Sequence, residues 1–413
     1  MSQFSRRRFL VAGAGGAALL GGISACSWSD VMREAQRRQL AEGTGILVMV
    51  TLYGGNDGLS TVIPYADNAY YDQRPELAYA PEEVVHLDGH LGLNPGLKGL
   101  ADLWSQRRLA IVRGVTYPKP DRSHFRSMDI WQTASPSEPV STGWIGRWLD
   151  ATGDDPLRVL NIGAVLPLLV MGEKHTASAL TGDRSPVTGD IEDILAELGS
   201  SDPRDTPQMS AICAAYRATR DVGVALAPVL GTGTPTTTFD PSAGGLNFTP
   251  GTGANPLAQR LQTVGACIKA GVPTRVYTVA LGGFDTHSEE RGPQRRLLEI
   301  LDTALTPFLH EMGGDKFGKG VTVMVYSEFG RRVAANASQG TDHGTAGPVL
   351  IAGAPVKGGF YGEEPSLVDL DDGDLKGSVD FRDIYYELLA HLLVTDPEPS
   401  VGSGRRELGF LAS

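Results

Sequence analysis

The sequence has little cysteine, no excess of basic charge and, after its first residues, no long hydrophobic run. Three cysteines among 413 residues exclude a disulfide-dense scaffold, and a chain this long can bury a core without covalent links. Its 48 aspartates and glutamates outnumber its 36 lysines and arginines, so we expect no nucleic-acid partner. Past the N-terminus, no stretch approaches the roughly 18 apolar residues that a spanning helix needs. The composition, 41% hydrophobic and 20% charged, is that of a globular protein.

The N-terminus has the pattern of a twin-arginine export signal. Residues 5–10 (SRRRFL) precede a Gly/Ala-rich apolar stretch at 11–23, and no acidic residue occurs before Asp30. We therefore predict that residues 1–26 are a signal peptide, that the twin-arginine machinery is an export partner, and that the mature protein is periplasmic or otherwise extracytoplasmic. Residues 23–26 (ISAC) resemble a lipobox. Either Cys26 carries a lipid, the one membrane attachment that we expect, or the signal is cleaved nearby.

Short, largely apolar runs recur along the mature chain, and each leads directly into glycine or polar residues. The runs at 46–52, 109–115, 275–281, 321–326 and 349–352 indicate strands buried on both faces, as in a parallel sheet covered by helices. Helical periodicity lies between them, at 95–107, 123–133, 143–151, 207–224, 256–270, 291–312 and 381–393. This alternation predicts an α/β protein: a three-layer α/β/α sandwich with a mostly parallel sheet.

We expect one domain rather than several, because no convincing linker interrupts the mature chain. Residues 27–44 are predicted to be a tether, and residues 45–413 a domain with an insertion at about 155–255. The Gly/Thr/Pro-rich stretch at 231–255 indicates a long surface loop. Cys213 in the insertion and Cys267 beyond it either form one disulfide or remain two buried thiols.

Polar residues suited to chemistry follow the predicted strands. In open parallel sheets, ligands bind beyond the carboxyl ends of the strands, which is where these residues fall. Carboxylates gathered there would repel one another unless they were protonated, solvated or neutralised by cations. Because carboxylates and neutral imidazoles are ligands for zinc and manganese, and carboxylates also suit magnesium or calcium, we predict one or two divalent ions. The predicted metal ligands are Asp57, Asp285, His287, Glu328, Asp342 and His343.

Taken singly, these residues have simpler explanations. Asp57 lies in GGNDG, a composition typical of a turn, and Glu328 precedes two arginines that could pair with it. The Asp285-x-His287 pair could form a loop hydrogen bond, and Asp342 an Asx-type turn. The metal prediction therefore depends on all of them falling after strands.

Ser123 and His124 are the predicted catalytic residues. Ser123 begins a helical pattern, which suits either a helix N-cap or a nucleophile favoured by the helix dipole and a nearby metal. His124 could be a metal ligand, a general acid, or the residue that takes the nucleophile's place.

The ordered motifs GGNDG, YPKPDRSHFRSMDIWQT, TGWIGRWLD, GGFDTH, SEFGRR, GTDHG and GGFYG resemble the bacterial family called domain of unknown function 1501 (DUF1501), a branch of the alkaline phosphatase and sulfatase superfamily. The resemblance spans nearly the whole mature chain. It implies an alkaline phosphatase-like α/β/α sandwich, a nucleophile at a helix start, one or two divalent ions, and hydrolysis or transfer of phosphate or sulfate esters.

By this resemblance, Asp57 is similar to the metal-binding acid after the first strand, and Ser123 lies near the nucleophile position. Asp285 and His287 are similar to the Asp/His pair of one metal, Glu328 to the acid of the other, and His343 to the late histidine ligand. The chain departs from the phosphatase pattern in the short Asp-x-His spacing and in Phe329, which stands where phosphatases carry a histidine. It also lacks the Cys-x-Pro-Ser-Arg motif, so a sulfatase-type formylglycine cannot form.

The sequence thus predicts an exported metal-dependent hydrolase that acts on an anionic ester or an envelope glycan. A non-catalytic envelope protein that keeps the fold and a structural metal is the alternative. A phosphoryl-type transferase acting on envelope glycans is a third hypothesis. Fold class alone does not separate the three.

Overall fold

The computed structural model describes residues 37–153, 155, 157–163, 165–180 and 255–412. The predicted signal peptide, most of the tether and most of the predicted insertion lie outside these residues, as do the predicted helix at 207–224 and Cys213. Cys267 is a buried free thiol within the described part of the chain.

The described strands agree closely with the apolar runs of the sequence, and shorter strands join them. The strands are β1 (Ile46–Tyr53), β2 (Val62–Ile63), β3 (Val85–His86), β4 (Gly92–Leu93), β5 (Leu109–Thr116), β6 (Val159–Ile162), β7 (Ser178–Leu180), β8 (Val276–Gly282), β9 (Val321–Ser327), β10 (Gly347–Gly353), β11 (Gly359–Tyr361) and β12 (Val379–Asp380).

Six of the described helices fall where the periodicity places them, and three short ones, at 58–61, 68–73 and 398–401, were not predicted. The helices are α1 (Gly58–Thr61), α2 (Asn68–Gln73), α3 (Lys98–Ser105), α4 (His124–Thr133), α5 (Trp144–Thr152), α6 (Pro256–Lys269), α7 (Arg291–Gly314), α8 (Phe381–Glu387) and α9 (Glu398–Val401). A π-helical turn, Leu388–Leu392, continues α8. Among the described residues, no helix is both long and apolar enough to cross a membrane.

The main sheet has nine strands in the order β11-β5-β10-β9-β1-β8-β6-β7, with β12 alongside β5. Among its described strands only β10 runs antiparallel to its neighbours, so the prediction of a mostly parallel sheet is confirmed. A separate three-stranded sheet, β2-β4-β3, was not predicted, because its strands are only two residues long and carry no readable period.

Helices cover both faces of the sheet, which confirms the three-layer sandwich. Alternate residues of β1 point to opposite sides: Val48 packs in the core beneath α3, α6 and α7, while Leu47 packs in the core beneath α4, α5 and α8. Both cores consist largely of residues with almost no solvent exposure. Because the strands are buried on both faces, most of their residues are apolar and the pattern does not alternate.

Candidate metal centre

Three parallel strands end level with one another and deliver the candidate residues to one edge of the sheet. Tyr53, the last residue of β1, pairs with Gly282 at the end of β8, and Leu52 pairs with Ser327 at the end of β9. The loops that follow these strands therefore leave the sheet side by side. The loop after β8 contains Asp285, and the loop after β9 begins with Glu328. The loop after β1 is the glycine-rich segment GGNDG.

Three histidines from separate segments converge on one oxygen of Asp285. The Nε2 atoms of His287, His343 and His124 lie 2.9, 3.2 and 3.6 Å from its Oδ1. The Nε2 atoms of His287 and His343 are 3.0 Å apart. The structure thus brings together Asp285, His287 and His343 as predicted, and it adds His124 to them. We call these four side chains the donor group.

Each histidine of the donor group has its other ring nitrogen directed at an oxygen. Nδ1 of His124 lies 2.9 Å from Glu328 Oε1, Nδ1 of His343 lies 2.8 Å from the carbonyl oxygen of Arg122, and Nδ1 of His287 lies 3.5 Å from Asp342 Oδ1. Carbonyl and carboxylate oxygens only accept, so Nδ1 carries the proton in the hydrogen bonds of His124 and His343. In the neutral rings, Nε2 then presents a lone pair to Asp285.

Lone pairs facing a carboxylate oxygen repel it unless a cation or a proton lies between them. His124 Nε2 is a buried nitrogen without a hydrogen-bond partner, which leaves it free to coordinate. The separations of 2.9 to 3.6 Å bracket the value of about 3.4 Å expected between ligands of a tetrahedral zinc ion with bonds of about 2.1 Å. Within the described residues, His124, Asp285 and His343 lie close enough together to hold a divalent cation, and His287 lies beside them with its Nε2 3.0 Å from that of His343.

The pKa values of the donor group follow from its surroundings. Burial alone would raise the pKa of Asp285, but the hydrogen bond and charge of Arg331 lower it below its ordinary value. Burial lowers the pKa of His343, which favours the neutral ring that a metal needs. The hydrogen bond to Glu328 raises the pKa of His124 above its ordinary value.

Glu328 and Asp342 lie behind histidines and not among the donors, which corrects their prediction as metal ligands. Glu328 is buried, and its Oε1 also accepts a hydrogen bond of 2.9 Å from the backbone N–H of Gly54. The simpler explanation of Glu328, an ion pair with an arginine after the strand, is also wrong, because Glu328 bonds His124 instead. Glu328 instead fixes the ring orientation of His124, as carboxylates commonly do around metal sites, while Asp342 lies 3.5 Å from Nδ1 of His287.

Asp57 does not join the donor group. It is fully buried, and both carboxylate oxygens bond the equally buried guanidinium of Arg74, with 3.1 Å between Oδ1 and Nη2. Burial alone would raise the pKa of Asp57, but the charge of Arg74 holds it well below its ordinary value. Oδ1 also accepts from Leu59 N at the start of α1. The prediction of a metal ligand is corrected here, because Arg74 already neutralises this carboxylate.

Ser123 occupies the N-cap position of α4, as its pattern predicts, but its hydroxyl makes no capping hydrogen bond. Ser123 is exposed, and both of its neighbours in the chain belong to the site. The carbonyl oxygen of Arg122 accepts from His343, and His124 is a member of the donor group. Phe329 is buried against both rings, with centroids 4.9 Å from His124 and 4.8 Å from His343. It therefore forms an apolar wall where a further ligand could have stood.

Comparison with protein families confirms the resemblance seen in the motifs. The model described as "Protein of unknown function (DUF1501)" matches residues 243–406, a span that includes Asp285, His287, Glu328, Asp342 and His343. A comparison with curated proteins finds no match.

Solved structures similar to this chain share little sequence with it. A protein in the alkaline phosphatase superfamily from Vibrio parahaemolyticus is 11% identical, with 91% of this chain and 72% of that chain covered and a TM-score of 0.42. The lipoteichoic acid synthase LtaP from Listeria monocytogenes is 10% identical, with 96% and 80% covered and a TM-score of 0.37. A TAB5 alkaline phosphatase mutant with bound Mg is 11% identical, with 76% and 92% covered and a TM-score of 0.33.

Proposed function

We propose that this chain, which resembles the DUF1501 family, is an exported metal-dependent hydrolase of phosphate or sulfate esters. One observation carries the proposal: three imidazole Nε2 atoms converge on Asp285 Oδ1, while Nδ1 of His124 and Nδ1 of His343 each form a hydrogen bond to an oxygen. Histidines oriented in this way by outer partners are characteristic of metal sites.

The arrangement supports one ion rather than two. Of the acids predicted for a second ion, Asp57 is neutralised by Arg74, and Glu328 is committed to His124 and to the hydroxyl of Ser327. A donor group of three imidazoles and one carboxylate suits zinc best, with manganese as the next choice. When bound, such an ion supplies Lewis-acid stabilisation to the oxyanions of the ester.

Ser123 is the proposed nucleophile, since its hydroxyl is exposed and uncommitted at the start of a ten-residue helix whose dipole favours negative charge. Its Oγ would form a bond to phosphorus or sulfur as its proton passes to water, and the bond to the leaving oxygen would break to release the alcohol. Water would then hydrolyse the serine ester, releasing phosphate or sulfate and restoring Ser123. His124 acts as a donor in this scheme rather than as the nucleophile.

The test is metal analysis of the purified mature protein together with a screen of aryl phosphates and aryl sulfates. We expect one zinc per chain, turnover that a chelator removes, and loss of at least about 1,000-fold in kcat for Ser123→Ala with zinc binding unchanged. Ser135→Ala, beyond the other end of α4, is the matched control and should keep full activity. Absence of zinc binding in the wild type, or full turnover in Ser123→Ala, would overturn the proposal. Zinc bound without any turnover would favour the non-catalytic binding protein.

Export is part of the same proposal, with the twin-arginine machinery as partner and either lipid attachment at Cys26 or plain cleavage. Replacing Arg6 and Arg7 together by lysine should retain the precursor in the cytoplasm, as cell fractionation would show. Mass measurement of the mature N-terminus, with Cys26→Ser as the control, separates lipidation from cleavage alone.

A further inference from the structure

Arg331 is a buried arginine that lies directly behind the donor group. Its side chain has no solvent exposure, and its Nη2 donates to Asp285 Oδ1 over 2.7 Å. This is the same oxygen on which the three histidines converge. In the sequence, Arg331 stood out only as a candidate partner of Glu328, and the structure gives it a different carboxylate.

The remaining guanidinium hydrogen bonds connect the loops that build the site. Nε donates to Gly55 O over 2.6 Å, Nη1 to Thr341 O over 2.8 Å, and Nη2 to Phe284 O over 3.0 Å and also to Gly54 O. These carbonyl groups belong to the loop after β1, the loop after β8, and the turn that leads to His343. A planar, five-donor group is suited to holding three backbones at once, which a lysine cannot do.

The backbone of Arg331 reinforces this connection. Arg331 and His343 face each other in an antiparallel bridge, and the next residue, Arg332, donates its N–H to Asp342 O over 3.0 Å. The backbone of Arg331 therefore pairs with the GTDHG turn, and the side chain of Arg331 donates to the carbonyl oxygen of Thr341 in the same turn. Arg331 thus contacts both the side chain of Asp285 and the turn that carries His343.

From this geometry we propose that Arg331 is a positioning residue, which holds Asp285 Oδ1 at the centre of the donor group and balances its charge. The inference rests on the proposed metal function. Asp285 is 49% exposed, so without the guanidinium its carboxylate could rotate away from the histidines into solvent. Arg331 offsets the negative charge of Asp285, and the other donors are neutral imidazoles. The positive charge of a bound ion would therefore remain available to attract an anionic ester.

The experiment measures zinc binding by calorimetry on the metal-free mature protein, with zinc chloride as the only probe. For Arg331→Lys, which keeps the charge but loses the planar fork, we expect the dissociation constant to rise by about 10- to 100-fold. Arg331→Gln, which loses the charge as well, should bind zinc more weakly still, and it serves if the lysine variant does not fold. With turnover measurable, KM for an anionic aryl ester should rise more in the glutamine variant.

Arg74→Lys is the matched control, because Arg74 is also a fully buried arginine paired with an aspartate but contacts none of the four donors in the described part of the chain. It should lower the melting temperature and leave zinc affinity unchanged below that temperature. A double-mutant cycle with Asp285→Asn adds a second criterion, since the Arg331 effect should vanish once the carboxylate is gone.

Each outcome is decisive. If Arg331→Lys binds zinc as the wild type does, or if Arg74→Lys weakens zinc equally, Arg331 is only structural and the inference fails. Additive effects in the cycle would also overturn it. If the wild type itself binds no zinc, the proposed function fails first, so the two failures are distinguishable.

Discussion

The Nδ1 atom of His343 donates a hydrogen bond to the main-chain carbonyl oxygen of Arg122 over 2.8 Å, although the two residues are 221 positions apart. Arg122 immediately precedes Ser123 and the start of α4. The bond therefore fixes the tautomer of a donor histidine and joins its turn to the segment that carries the proposed nucleophile. Whatever holds Arg122 in place also supports the metal centre.

Asp374 is the main support of Arg122. Its buried carboxylate accepts from Arg122 Nε over 2.9 Å and from Nη2 over 2.6 Å, while the exposed Asp372 accepts from Nη2 over 3.2 Å. We expect Asp374→Asn to lower the free energy of unfolding by about 1 to 2 kcal/mol, a value reduced because Arg122 is partly exposed and solvent-screened. Asp372→Asn should cost less than about 0.5 kcal/mol. Urea unfolding compares the two variants, and equal losses would contradict this account.

Glu328 determines the basicity of His124. Glu328→Gln removes the negative charge behind the ring, so the pKa of His124 should fall back toward its ordinary value and Nε2 should become a poorer donor. We expect the zinc dissociation constant, measured by calorimetry, to rise by about 10- to 100-fold. Glu83→Gln makes the same chemical change at an exposed acid paired with Arg291, and it should leave zinc affinity unchanged. Equal affinities in both variants would show that Glu328 does not act on the site.

Glu290 should make stability depend on pH. Burial, followed by the neighbouring charge of Asp57, raises the pKa of Glu290 well above its ordinary value. Above the unfolded value of about 4.3, the folded chain therefore binds more protons than the unfolded chain. The free energy of unfolding falls as the pH rises through this window, until the folded pKa is reached.

Glu290→Gln tests this dependence, since glutamine stays neutral and can still accept the hydrogen bond of 2.6 Å from Thr341 Oγ1. Between pH 5 and 8 the variant should lose less stability than the wild type, by up to about 1.4 kcal/mol per pH unit. Urea unfolding in the presence of a chelator measures the slope without a metal contribution. Glu299→Gln, at a half-exposed acid on α7, should keep the wild-type slope. A wild-type slope in Glu290→Gln would mean that Glu290 is charged when folded.

Gly340 allows the GTDHG turn to pack against the backbone of His287. A Cβ atom at this position would stand 2.2 Å from the His287 carbonyl carbon, so alanine must displace one of the two segments. We expect Gly340→Ala to lower the free energy of unfolding by about 1 to 3 kcal/mol and to weaken zinc binding. Gly89→Ala, where a Cβ meets nothing within 4 Å, should change neither. Thermal unfolding with and without zinc would show the difference.

The sequence by itself was sufficient for the central strands, for their burial on both faces and for a prediction of where the site lies. The strands buried on both faces are continuous apolar runs, so a local pattern was sufficient to predict β1, β5, β8, β9 and β10 within about two residues. The rule that ligands bind beyond strand ends then selected Asp285, His287 and His343, and the helix start selected Ser123 and His124.

Only the tertiary structure decided which acid meets which base. Asp57 and Glu328 follow strands in the same way as Asp285, yet one is neutralised by Arg74 and the other stands behind His124. Nothing in the sequence marked Arg74 as a buried cation. Arg331 and Arg332 are adjacent residues of the same type, and only the structure shows that the Arg331 side chain is buried. Charge pairing is a matter of distances of a few ångström between side chains that lie from 17 to 204 positions apart in the sequence, and no local pattern contains those distances.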